Sequence, residues 1–399
     1  MALSSSCRLL TLRVCVRKIL NDGAKRLCIH TSSHSKAYRP HRLSCPTSIL
    51  PALSDFSGGR SLKWSRKTEY SQGEEAAVQH WRSALCALMA FSLFSSPDER
   101  TEEQKTEDEI ILLLKKAKYS MMQGELDAAN GFLHKAIRLA HQSHNNDAII
   151  YTYSLMANLA FVQGQLDNAE KLFKAAMSFM LSGGTSQDDN AVIEMSLKLA
   201  TIYATQNKNE LAEHGFQFCT ESLEAKLEKQ KELPPDAVSE EERKDTRLLL
   251  GLSLDTRARY LASSRRFTGA CRDYRQALQI CQEEQGETHP QTLVLMSDLA
   301  TILDLQGKHD EALALVKKAV ELAQAAGHPD QHVLLGNMAG ILMHKGEFDE
   351  SIKLYEEALA LAQAAGDTEA LQQLEEGLKE LSRRREEKNT ASEEPSAAK

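Results

Sequence analysis

The sequence predicts an all-α protein built as a stack of repeated helical pairs, and three observations predict it. First, one turn is written three times with little change: Gln163-Gly164-Gln165-Leu166-Asp167-Asn168-Ala169, Gln306-Gly307-Lys308-His309-Asp310-Glu311-Ala312 and Lys345-Gly346-Glu347-Phe348-Asp349-Glu350-Ser351. Second, the residues around each glycine keep fixed offsets. Ala157, Ala300 and Ala339 stand seven before it, Phe173, Val316 and Tyr355 nine after it, and Ala176, Ala319 and Ala358 twelve after it. Third, both flanks of each copy read as apolar helices, so a copy is a helix A, a turn and a helix B. Small residues let the two helices approach closely, and the large one fills the gap to the next pair. Such pairs bury their faces by stacking on one another.

Ahead of the array the composition is of another kind. Residues 1–68 hold 13 Lys or Arg against Asp22 and Asp55, a net of +11, whereas residues 101–399 hold 33 against 49 acids, a net of −16. Leu9, Leu10, Leu12, Val16, Ile19 and Leu20 lie among Arg8, Arg13, Arg17 and Lys18. This Arg- and Ser-rich, acid-poor, amphipathic pattern predicts a mitochondrial transit peptide over residues 1–69. The arginines interrupt the apolar run that a secretory signal needs. A basic arm for nucleic acid, the competing reading, would not need the amphipathic spacing. Arg60, Leu62 and Ser65 resemble the motif of the matrix processing peptidase, which implies a mature start at Tyr70.

Residues 70–109 form a linker around an uncharged run at 83–94 that includes Leu85, Leu88, Phe91 and Phe94. Twelve helical residues cover about 18 Å, short of a hydrocarbon core of ~30 Å. Helix over residues 76–96, with Trp81 at the interface and Arg82 snorkelling, reaches about 21 residues and could span. The alternative is a segment lying in the interface. If it spans, Arg66, Lys67 and Arg82 before it and Asp98, Glu99, Glu102 and Glu103 after it keep the N-side in the matrix and turn the repeats toward the intermembrane space.

The array is expected over 110–381. Aligned on the turn, units begin near Ile110, Ile150, Ile193, Gly251, Leu293 and His332, giving spacings of 40, 43, 58, 42 and 39 residues. The repeated offsets resemble the tetratricopeptide repeat family, whose usual period is about 34 residues. The longer units, with the loop Gly286-Glu287-Thr288-His289-Pro290, are similar to those of kinesin light chains. In the third and fourth units Asn207 and Arg265 stand where glycine is expected, and Cys219 replaces the late alanine. The widest gap reads as an overlong helix B, a turn at Pro234-Pro235 and a charged entry to the next helix A, where the stack should bend. Leu371, Leu374, Leu378 and Leu381 space a capping helix over 368–381, and residues 382–399, without large apolar side chains, are expected to be a disordered tail.

Chemistry is little indicated. Cys7, Cys15, Cys28 and Cys45 fall in the transit peptide and Cys86 in the apolar run; Cys271 and Cys281 share one expected helix and lie too far apart to bridge, and Cys219 takes a packing position. His134, His141 and His144 cluster without a carboxylate or thiol to complete a metal site. The sequence holds no phosphate loop, nucleophile elbow or zinc spacing, so neither cofactor nor enzymatic activity is expected, nor a nucleic-acid or small-molecule ligand.

Partner binding is expected on the inner face, from positions two, five, nine and twelve of each helix A. These are Tyr151, Ser154, Asn158 and Phe161; Glu194, Leu197, Thr201 and Ala204; Leu252, Asp255, Arg259 and Ala262; and Val294, Ser297, Thr301 and Asp304. Leu114 stands where repeats that clamp a chaperone's C-terminal carboxylate need the first of their polar residues, so that clamp is not reproduced. Arg257, Arg259, Arg265, Arg266, Arg272 and Arg275 make the fourth unit basic within an acidic domain, a solvated face or a site for an acidic protein.

Taken together, the basic leader, the apolar run, the long repeats and the stretch Leu233-Pro234-Pro235-Asp236-Ala237-Val238 resemble a mitochondrial branch of the tetratricopeptide repeat proteins. The resemblance implies a non-catalytic factor of the inner membrane. It would bind subunits of respiratory complex III (ubiquinol–cytochrome c reductase), support that complex, and favour clearance of fragments of its Rieske iron–sulfur protein. The alternative is a soluble partner adaptor resembling kinesin light chain, which would need an N-terminal coiled coil and no leader.

Overall fold

The computed structural model describes residues 101–234 and 237–393. The transit segment and the apolar run with Leu85, Leu88, Phe91 and Phe94 lie outside these residues. The described residues form thirteen helices and no strand: α1 (Glu102–Met122), α2 (Leu126–Gln142), α3 (Asn146–Val162), α4 (Leu166–Ser182), α5 (Asn190–Thr205), α6 (Asn209–Glu232), α7 (Glu240–Ser263), α8 (Phe267–Gln285), α9 (Pro290–Leu305), α10 (His309–Ala325), α11 (Gln331–Lys345), α12 (Phe348–Ala365) and α13 (Thr368–Glu393). The fold is an all-α repeat solenoid of six helical pairs and a terminal helix. None of these helices is long and apolar enough to cross a membrane.

Helix A ends the same way in all six units. The residue after the last turn adopts a left-handed conformation, its N–H bonding three residues back and the next N–H five back, as in Gly124 to Met121 and Glu125 to Ser120. This satisfies carbonyls that the helix end would otherwise orphan. Gly124, Gly164, Gly307 and Gly346 take the position with φ of 75–86°, and Asn207 and Arg265 take it at 58° and 57°. The turn is thus conserved where the glycine is not. His144, which closes α2 with φ 52°, is the same device at the end of a helix B.

The chain divides into two compact units, with the boundary inside α3 after Leu155. In the first, a capping box of Thr101 and Gln104 starts α1 eight residues before the start at 110 read from the turn spacing. Helices α1 and α2 pack together, burying Ile110, Leu113, Leu114 and Ala117 on the one and Ala129, Leu133, Ala136 and Ile137 on the other. Ala117, Leu133 and Ala136 are the seven-before, nine-after and twelve-after positions of this unit.

In the second unit α5/α6, α7/α8, α9/α10 and α11/α12 pair in turn, and each helix B packs on the next helix A. One apolar core runs from Ile193 to Leu381. The helix B before the widest gap, α6, is overlong as expected at 24 residues, and the helix A that follows it, α7, matches it at 24, a length the sequence reading did not foresee. Across their ends Arg243 donates to the Gln230 carbonyl at 2.9 Å, and Asn190 bonds both Lys226 and Thr246 at 3.0 and 3.1 Å. Helix α13 buries Leu374 and Leu381 as the cap should. It continues to Glu393, so the disordered tail expected from residue 382 is instead helical over its first part. Arg383 and Arg384 grip Glu380, and Arg385 reaches Asp349 of α12 at 3.2 Å, so ion pairs extend a segment that lacks apolar anchors.

Candidate partner-binding face

Tyr151 belongs to the first compact unit, half-buried under the ammonium of Lys118 at 5.0 Å from its ring centroid. Asn158 is half-buried in the second unit. Phe161, by contrast, is only 6% exposed and belongs to the core rather than to an open face. It sits in the last turn of α3, where its carbonyl accepts from Gly164, and an aromatic at this point packs inward.

The inner positions of the second unit are also more enclosed than the helical pattern predicts. Leu197, Thr201, Leu252, Asp255, Ser297 and Asp304 are all buried. The polar ones pair along a line that passes from helix A to helix A. Asp255 accepts from Arg259 at 2.9 Å and from Gln291 of α9 at 3.2 Å, and Arg259 reaches Asp298 of α9 at 2.5 Å. Burial works against the Arg259 charge, but the two carboxylates more than offset it and hold the guanidinium firmly protonated; burial also drives the neighbouring Tyr274 hydroxyl well up. Asn337 of α11 donates to Ser297 of α9 at 2.6 Å. Asp304 ends the line with His309 on one oxygen at 2.7 Å and His344 of α11 on the other at 2.5 Å. Thr301 stays exposed beside this seam and Asp298 half-exposed. The face therefore offers hydrogen-bonding groups whose charges are already matched.

The six arginines of the fourth unit do not form one basic surface. Arg257 grips the fully buried Asp273 with two bonds of 2.5 and 3.0 Å and donates to Thr220 of α6 at 2.7 Å, so it knits α6, α7 and α8 together. Arg259 is interior. Arg266 lies over the Tyr260 ring and pairs with Glu213 at 3.0 Å, Arg272 touches Asp273 at 3.2 Å, and Arg275 reaches Glu311 at 3.6 Å. Arg265 sits exposed in the turn. The sequence hides this because the acids that match these arginines lie up to 53 residues away in the chain.

The three cysteines among the described residues are all buried. Cys219 is fully buried, and burial pushes its thiol up to about 12. Cys271 and Cys281 are buried and unbridged along α8. His141 pairs with Tyr153 at 3.1 Å, and no group of three potential metal ligands occurs among the described residues.

Residues 250–325 and 334–369 match the tetratricopeptide repeat family. The chain is 70% identical to tetratricopeptide repeat protein 19, mitochondrial, of Danio rerio over 98% of both proteins. It is 48% identical to the protein of that name in Homo sapiens, over 70% of this chain and 76% of the human one. Among solved structures, apo RapI superposes with a TM-score of 0.55 at 11% identity, covering 77% of this chain and 80% of RapI, a likeness of fold alone.

Proposed function

The chain belongs to the family of tetratricopeptide repeat protein 19, mitochondrial, and on that footing we propose that it is a mitochondrial scaffold that binds respiratory complex III at the inner membrane and supports its integrity. The observation that carries this reading is the likeness over 98% of both chains to a relative whose name places it in mitochondria. The basic leader agrees with it. The repeat architecture favours binding over catalysis, since stacked helical pairs present continuous surfaces along their A helices. Partner contact then falls on the line from Asn158 through Asp298 and Thr301 to Asn337, where polar groups remain within reach of solvent. Subunits of complex III, the Rieske protein among them, are the partners, and removal of Rieske fragments is favoured by docking rather than by cleavage within this chain. The repeats face the intermembrane space.

Affinity purification of the tagged full chain from mitochondria in mild detergent tests the reading. Subunits of complex III should co-purify in stable ratio. Their absence, with the chain itself recovered intact, would overturn it. Cleavage of a Rieske peptide by the purified chain alone would overturn the non-catalytic part.

A further inference from the structure

The first helical pair is acidic over its first two turns, with Glu102, Glu103, Glu107, Asp108 and Glu109, and basic beyond them. Residues 110–145 hold five Lys or Arg (Lys115, Lys116, Lys118, Lys135 and Arg138) against Glu125 and Asp127, within a region whose net charge is −16. The pair also exposes large apolar side chains. Leu112 and Tyr119 of α1 are 51% and 60% exposed, Tyr119 the most exposed of the large apolar side chains described. At seven residues apart they share one stripe of the helix, with Lys115 and Lys116 on the turn between them. Lys116 lies over the Phe132 ring of α2 at 6.0 Å, and Lys135 follows Phe132 by one turn. Lys115 and Lys135 have no ion-pair partner among the described residues, although lysines elsewhere, such as Lys174, Lys208 and Lys345, are bound to acids. Asp108 and Glu109 bound the stripe one turn earlier.

We infer that this side of the first pair, Leu112, Lys115, Lys116 and Tyr119 with Phe132 and Lys135, lies on an anionic lipid surface. Leucine, tyrosine and phenylalanine suit the boundary between headgroup and acyl chain, and lysines there gain from anionic headgroups while their stems cover apolar surface. The chain's length fits the contact, since α1 starts eight residues after the apolar run at 83–94 ends. The inference rests on the proposed place at the inner membrane. It adds that the first pair is laid flat on the bilayer rather than tethered above it.

The test is lysine acylation of the full chain, read by mass spectrometry, on phosphatidylcholine vesicles with and without cardiolipin. Flotation of the same samples reports whether the chain is held at all. Labelling of Lys115, Lys116 and Lys135 should fall roughly fivefold on the cardiolipin vesicles only, with Lys317 and Lys353 unchanged. The Leu112→Ser, Tyr119→Ser double variant, altered only at exposed positions, should lose this protection and still float. Flotation with equal labelling on both vesicles would overturn the inference and leave the anchor standing. Flotation on cardiolipin vesicles alone, with protection that salt removes, would keep the surface and overturn the anchor. Failure to float on either would overturn both. Protection in whole mitochondria without protection on vesicles would assign the stripe to a protein and overturn the lipid assignment.

Discussion

Asp273 shows how much a single residue can carry here. Its carboxylate is fully buried and is answered chiefly by Arg257, so Asp273→Ala leaves a guanidinium without its partner among packed helices. Breaking such a pair costs about 3–5 kcal/mol. Arg272 touches the same carboxylate from a side chain that is 73% exposed, and Arg272→Ala should lose only a few tenths of that. Thermal and urea unfolding of the two variants would separate the roles, and equal effects would contradict them. Arg265 makes the opposite case. It holds φ 57° in a turn that other units give to glycine, and β-carbon sterics there cost roughly 1–2 kcal/mol. Arg265→Gly should therefore raise the melting temperature, part of the gain being cancelled by the freer unfolded chain. A fall would show that its side chain has a structural role.

At the scale of the element, the close contacts between paired helices decide which small residues can grow. A β-carbon on Gly215 of α6 would stand 2.7 Å from the β-carbon of Ala200 on α5, with no flexible chain to yield. Gly215→Ala should cost about 1–3 kcal/mol through a forced shift of the pair. Gly131 on α2 has open space around its missing β-carbon, and Gly131→Ala should instead gain about 0.5–1 kcal/mol from helix propensity. Circular dichroism melts of both test the contrast in sign. Helix α13 depends on charge beyond its last apolar anchor. Arg383 and Arg384 hold the Glu380 carboxyl down at about 2. A depressed carboxyl stabilises the fold above its unfolded value of about 4.3, and that contribution is lost as pH falls toward the folded value. Helicity after Leu381 should decline through this window, read by hydrogen exchange, and should resist neutral conditions. The stretch of this helix beyond Leu381 was not legible in the sequence because its support comes from ion pairs, one of them to Asp349 on the neighbouring α12, and not from an apolar stripe.

Over the whole molecule, the repeat was legible because small residues must recur wherever helices touch. Ala157, Ala300 and Ala339 gave the period, and the structure adds Ala117, Ala200 and Ala258 at the same place, all fully buried. The inner face was only half legible. Helical spacing placed Asp255, Arg259 and Asp304 correctly on helix A, but not the partners that enclose them, such as Asp298 and His344, which stand 39 and 40 residues further along. The cap completes the array, and its loss is predictable. A chain ending at Gly366 would uncover the surface that Leu374 and Leu381 fill; it should melt earlier and self-associate, both visible by calorimetry and gel filtration. A truncated chain that stayed monomeric with its melting point unchanged would show α13 to be an appendage. The shared helix-ending turn carries a consequence for how such a protein can change length. Gly307 and Gly346 meet the chain in matching conformations 39 residues apart, so splicing at these two points removes or adds one whole period and rejoins equivalent backbone. Across α6 and α7 the ruler reads 58, and a splice of standard length there would cut short one of two neighbouring 24-residue helices and leave the other overhanging.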